Sequence, residues 1–103
     1  MIIVTARVEI DPAHLGELKS AVATMENASR AESGCVDYTF ALELSNSSVV
    51  RIIERWQSME ALTAHFATPH MAAFNKAFTA HPPKSIDVKV YEAAREVALP
   101  GRR

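Results

Sequence analysis

Five side chains combine reactive chemistry with a telling spacing: Tyr38, Glu54, Trp56, His65 and His70. Glu54 and Trp56 stand two residues apart, so on an extended chain they share one face. Tyr38 lies on the alternating segment before them, and His65 follows Leu62 by three, flanking the apolar stripe of a helix. An indole and a phenol donate hydrogen bonds, a carboxylate accepts them, and an imidazole, with an ordinary pKa of about 6.5, exchanges protons near neutrality. Around them stand the soft apolar residues Met59, Phe66, Met71 and Phe74. The set suits a flat aromatic ligand, gripped by ring stacking and oriented by a few polar groups. Each residue alone also admits a packing role: an indole or phenol with one satisfied hydrogen bond, a histidine at a helix end, or Glu54 bonding a neighbouring strand residue or a helix N-terminus. Cys35 reads as a small buried hydrophobe, because spacing implies no histidine beside it.

Other chemistries lack their motifs. No GxGxxG, P-loop or GxSxG occurs, and Gly16, Gly34 and Gly101 are dispersed. Four histidines and one cysteine show neither CxxC nor HExxH spacing, so no metal and no cofactor is expected. Lys+Arg 11 against Asp+Glu 12 leaves a formal net charge of -1, which offers no basic surface for a nucleic acid partner. No apolar run approaches the roughly 20 residues of a membrane helix, and Met1 leads directly into Ile2-Ile3-Val4 without the charged start of a signal peptide. With a lone cysteine, the expected compartment is the reducing cytoplasm, with no membrane partner.

The elements that must position these residues follow from periodicity. At 103 residues the chain holds one domain, with enough buried surface to fold without staples. Ile2 to Ile10 alternates as a half-buried strand. Asp11-Pro12 starts a helix with Leu15, Leu18, Val22 and Met25 on its apolar face, closing near Gly34. Cys35 to Leu44 alternates again, with Val36, Tyr38, Phe40, Leu42 and Leu44 inward and Asp37, Thr39 and Glu43 outward. Ser45 to Ser48 reads as a hairpin turn, and Val49 to Trp56 returns with Val50, Ile52, Glu54 and Trp56 inward. Ser58 caps a helix carrying Met59, Leu62 and Phe66, and Thr68-Pro69 breaks it before a second helix with Met71, Phe74 and Phe78. Pro82-Pro83 ends that helix, and Ser85 to Tyr91 is the last strand, with Ile86, Val88 and Val90 inward. The order βαββαβ predicts an α+β, ferredoxin-like fold: a four-stranded antiparallel sheet with helices on one face. The domain spans residues 1–93 and a polar tail residues 94–103.

The second sheet face carries Arg7, Glu9, Asp37, Glu43, Arg51, Arg55, Asp87 and Lys89, four of each sign, among Thr5, Thr39, Ile53 and Tyr91. A twofold axis brings such a patch onto itself with opposite charges meeting, so a homodimer through this face is expected.

Three stretches carry a family resemblance. Glu32-Ser33-Gly34-Cys35-Val36-Asp37-Tyr38, Glu54-Arg55-Trp56-Gln57-Ser58-Met59-Glu60-Ala61-Leu62, and His65-Phe66-Ala67-Thr68-Pro69-His70-Met71 with Phe74 resemble the antibiotic biosynthesis monooxygenase (ABM) domain family in order and spacing. The likeness spans about residues 1 to 93 and implies a dimeric α/β barrel with a pocket between helices and sheet in each subunit. Similar proteins include quinol and anthrone oxygenases that need no metal or flavin, heme-degrading enzymes, and enzymes acting on a signalling molecule. The heme-degrading branch carries Asn, Trp and an iron-ligating His where this chain has Ala6, His65 and Asn75, which disfavours that activity. The resemblance implies a cofactor-independent monooxygenase for a small aromatic or quinol substrate. His65 would be the base or proton relay, with His70 a second candidate, and Tyr38 and Trp56 would donate to the substrate oxygens. Glu54, Phe66, Met71 and Phe74 would form the wall. Alternatives are a non-catalytic binder of small aromatics in stress response and an isomerase of a signalling metabolite.

Overall fold

The computed structural model describes residues 1–101; Arg102 and Arg103, the end of the expected tail, lie outside the described residues. Strand β1 runs Ile2–Glu9, and its alternation is realised residue by residue: Ile2, Val4, Ala6 and Val8 are buried, and Ile10 follows them into the core. Asp11 Oδ1 accepts from the Ala13 amide at 3.0 Å and opens a short 3-10 turn over Pro12–His14, after which α1 (Leu15–Arg30) begins. The helix buries Leu18, Met25 and Ser29. Leu18 and Met25, only 3% and 1% exposed, contribute about 2 kcal/mol each by burial.

Strands β2 (Cys35–Glu43), β3 (Asn46–Trp56) and β4 (Ser85–Glu92) complete an antiparallel sheet in the order β2-β3-β1-β4. Between β3 and β4, α2 (Met59–Phe66) and α3 (Pro69–Ala80) form the expected broken pair. Ser58 accepts from the Ala61 amide at 3.1 Å, and Thr68 accepts from the Met71 amide at 3.3 Å with Pro69 at the first helical position. This is the four-stranded ferredoxin-like α+β fold read from the sequence. No helix among the described residues is long and apolar enough to cross a membrane.

Three details differ from the sequence reading. A bulge between Cys35 and Asp37 shifts the phase of β2, so Cys35 pairs with Trp56 and packs on the core while Val36, expected inward, is 42% exposed. The hairpin turns at Leu44-Ser45, β3 already begins at Asn46, and the expected inward residues Leu42 and Leu44 are exposed. Ile86, Val88 and Val90 on β4 remain about half exposed (51%, 53% and 50%): α1 packs on β2 and α3, and the open side of a cavity, not a closely packed helix, lies over β4.

The eight charges of the outer face pair within the chain: Arg7 with Glu9 at 3.7 Å, Arg51 with Glu43 at 2.8 Å, Arg55 with Asp37 at 3.6 Å and Lys89 with Asp87 at 2.8 Å. All are solvent-accessible, so each pair contributes little to stability.

Candidate active site

Sheet register sets the site. Val90, Val4, Glu54 and Tyr38 form one row across β4, β1, β3 and β2, and Trp56 lies in the next row with Ile2 and Cys35. Above Glu54 and Tyr38, between the sheet and α2–α3, is a cavity of about 240 Å³. Its wall is largely apolar, including Phe40, Leu62, Phe66, Met71 and Phe74, and Tyr38 and Glu54 are its only titratable groups among the described residues. Phe66, 62% exposed, stands at the rim, and the half-exposed β4 valines line the open side.

Tyr38 is 2% exposed, its ring set against Phe40 and Trp56 at centroid distances of 5.8 and 6.3 Å. Its strand is fixed from outside: the Phe40 amide donates to Glu26 Oε2 at 2.8 Å, and Arg30 Nε donates to the Tyr38 carbonyl at 2.9 Å. Burial first, then the charge of Glu54, pushes the phenol well above its ordinary range, so Tyr38 acts as a neutral hydrogen-bond donor and not as a base. Ser29, fully buried on α1, faces this phenol, and its Oγ has no hydrogen-bond partner among the described residues.

Trp56 is fully enclosed and its indole N–H donates to Glu54 Oε1 at 2.9 Å. The indole donor, expected to serve a substrate oxygen, is here directed to the carboxylate two residues before it. Burial pushes the Glu54 carboxyl up, while the indole hydrogen bond and the neighbouring His65 pull it back. Glu54 is thus the wall carboxylate, held in place by Trp56.

His65 is 1% exposed and does not reach the cavity wall. Its ring lies against Trp56 and Tyr38, at centroid distances of 4.8 and 5.3 Å, and its Nδ1–H donates to Glu32 Oε2 at 2.6 Å. His70, expected beside the substrate, also lies off the wall: its Nε2–H donates to the same oxygen at 2.7 Å. Both rings thus meet at one carboxylate oxygen, which offers two acceptor lone pairs. It fixes the His65 tautomer with Nε2 as the basic nitrogen, the orienting arrangement that serves imidazole bases elsewhere.

Glu32 is the residue missed by spacing. It sits in the α1–β2 connection, thirty-three positions from His65 in sequence. Gly34 brings it there: its φ of +86° is left-handed, a Cβ at this position would lie 2.6 Å from that of Ala61 on α2, and its carbonyl accepts from the Gln57 amide at 2.8 Å. Burial first, then the nearby carboxylates, pushes the Cys35 thiol pKa up, which disfavours the thiolate.

A second cavity of about 280 Å³, under α1 and lined by residues such as Leu15, Leu18, Val22 and Phe78, carries Lys19 as its single titratable group among the described residues. It lacks an acid–base pair.

The sequence profile of the family described as antibiotic biosynthesis monooxygenase matches residues 1–77. A candidate antibiotic biosynthesis monooxygenase from Deinococcus radiodurans superposes with a TM-score of 0.89 at 24% identity, covering 98% of this chain and 100% of that one. Another from Nitrosomonas europaea gives 0.85 at 12% identity, covering 92% and 100%. An uncharacterized protein of Synechocystis is 26% identical over 98 residues, 95% of this chain and 67% of its own length. The two structural likenesses establish a shared fold.

Proposed function

The chain belongs to the antibiotic biosynthesis monooxygenase family, and from that premise we propose that it is a cofactor-independent monooxygenase acting on a small aromatic or quinol substrate in the cavity between α2, α3 and the sheet. The observation that carries the reading is an apolar cavity with one phenol and one carboxylate on its wall, backed by an imidazole that Glu32 orients. Its volume of about 240 Å³ fits a substrate of one or two rings.

An electron-rich quinol needs little from a protein to meet oxygen. Once deprotonated, it transfers an electron to O2, the radical pair combines at a ring carbon, and the hydroperoxide loses water. Overall, a quinol and O2 become a hydroxyquinone and water, all four electrons coming from the substrate. Glu54, whose carboxyl burial pushes up from its ordinary range, takes the hydroxyl proton at the wall. Tyr38 donates to the developing oxyanion. His65 relays the proton away, with Glu32 and His70 leading toward solvent, and the apolar wall keeps water from the intermediate. The face bearing Ile53 and Tyr91, its charges already paired, presents no net repulsion to a second copy, which supports a homodimer through that face.

The test is oxygen uptake by purified protein against a panel of quinols and polyphenols, with heat-killed protein and His65→Ala as controls. Uptake dependent on folded protein, with kcat reduced about 100-fold or more in His65→Ala, is expected. Uptake no faster than autoxidation across the panel overturns the reading. Turnover that persists under strict anaerobiosis replaces it with an isomerase, and a ligand recovered unchanged in air replaces it with a binder.

A further inference from the structure

We propose that Glu32, His65 and His70 form a binding site for one divalent transition-metal ion of the zinc type, placed behind the cavity wall. Glu32 Oε2, His65 Nδ1 and His70 Nε2 all lie within 4.8 Å of one another, the convergence of three ligand atoms on one point that a metal ion requires. The donor set is two imidazoles and a carboxylate, which suits zinc and its neighbours and excludes the hard cations magnesium and calcium, whose ligands are oxygens.

The scaffold holds the ligands on rigid elements. His65 is in the last turn of α2 and His70 in the first turn of α3, and the junction between them is tied by Thr68 Oγ1–H donating to the His65 carbonyl at 2.7 Å. The His65 ring is wedged by Trp56 and Tyr38, and the backbone of Gly34 positions the loop bearing Glu32. The Glu32 and His70 side chains are 13% and 17% exposed against 1% for His65, so an ion enters from their side and a water completes the fourth position there. Ligands bound to tetrahedral zinc at about 2.0–2.1 Å stand roughly 3.3 Å apart. The two N–O separations of 2.6 and 2.7 Å therefore open by about 0.6 Å, and the two ring nitrogens, which lie within 4.8 Å of each other, close toward the same value by a turn of the partly exposed His70 ring. Binding exchanges the two N–H donations for coordination and moves each imidazole proton to the opposite ring nitrogen.

The inference goes beyond the oxygenase reading and does not rest on it. The experiment uses the full chain, stripped with chelator and titrated with Zn²⁺ by calorimetry and with Co²⁺ by visible absorption, without any substrate. Expected are one ion per chain, a cobalt spectrum with nitrogen ligation, and a Zn²⁺-dependent rise in Tm. His70→Ala and Glu32→Gln each weaken binding at least tenfold, whereas His81→Ala, which dismantles the other histidine pair (His14 and His81 rings at 4.7 Å), leaves it unchanged. The inference is overturned by the absence of saturable one-to-one binding to folded wild-type protein. It is equally overturned by undiminished binding in both His70→Ala and Glu32→Gln, or by loss of binding in His81→Ala. A protein that binds zinc in this way yet consumes no oxygen with any quinol sinks the oxygenase reading and leaves the metal site standing.

Discussion

Replacing Glu32 by Gln changes one atom in the side chain and tests the core of the site. In the wild type one carboxylate oxygen receives two N–H donations, from His65 at 2.6 Å and His70 at 2.7 Å, in a mostly buried setting. Hydrogen bonds to a charged group contribute about 1.5–3 kcal/mol and neutral ones about 0.5–1.5, so neutralising the acceptor costs about 1 kcal/mol per bond and about 2 kcal/mol in all. For a domain of this size 1 kcal/mol corresponds to about 4–8 °C, which places the Tm drop near 10 °C. Function suffers separately. A Gln amide that turns its NH2 toward His65 stabilises the opposite tautomer and removes the basic nitrogen, so kcat for oxygen uptake falls about 100-fold while KM barely moves. Thermal denaturation followed by circular dichroism reads the first effect and oxygen-electrode kinetics the second. A double-mutant cycle with His70→Ala, showing non-additivity of at least 0.5 kcal/mol, assigns the stability loss to this pair. A Tm drop with unchanged kcat would refute the proton role and reduce the cluster to a structural clasp. An unchanged Tm would refute the hydrogen bonds themselves.

Three further outcomes follow from the same geometry. Glu54→Gln keeps an acceptor for the Trp56 indole but removes a buried charge whose folded-state pKa is raised by burial, so stability in the wild type declines as pH rises through the Glu54 range. The variant is accordingly more stable at pH 7, an advantage that disappears below about pH 4, while oxygen uptake is lost; equal Tm values at pH 7 would contradict the buried charge. Gly34→Ala forces a side chain into a left-handed backbone against Ala61, costing about 1–3 kcal/mol and displacing Glu32, so Tm and oxygen uptake fall together; a wild-type Tm would show that the loop yields freely. Sedimentation at micromolar concentration gives a dimer, and Ile53→Asp on the outer face gives a monomer; a wild-type monomer sinks the dimer proposal.

Much of the scaffold was legible in the sequence because periodicity reports which face of an element is buried. The five alternating apolar residues from Ile2 to Ile10 sit in the core, and Ser58 and Thr68-Pro69 mark the two helix starts by side-chain chemistry that acts over three residues. Glu54 and Trp56 were legible as same-face neighbours, though not as partners to each other. What stayed hidden is non-local. Nothing in the composition around Val36 marks a bulge, yet one extra residue reverses the phase that decides between Cys35 and Val36. The coverage of β4 depends on where α3 lies, which its own sequence does not encode. Glu32 sits in a connection without periodicity, and its meeting with His65 and His70 arises only when the α1–β2 loop and the α2–α3 junction are stacked by the fold.

The clamp of α1 on the outer strand has a meaning for the molecule's surface as well as for its site. Strand β2 is a sheet edge, where free amides and carbonyls invite a foreign strand to add on. Glu26 occupies the Phe40 amide and Arg30 the Tyr38 carbonyl, and the two helix residues are themselves paired one turn apart at 3.5 Å. One turn of helix therefore both sets the phenol's strand and seals the margin against polymerisation. Sequence drift that loosens Tyr38 from this side also opens the edge, so the accuracy of the pocket and the resistance of the chain to aggregation are selected together.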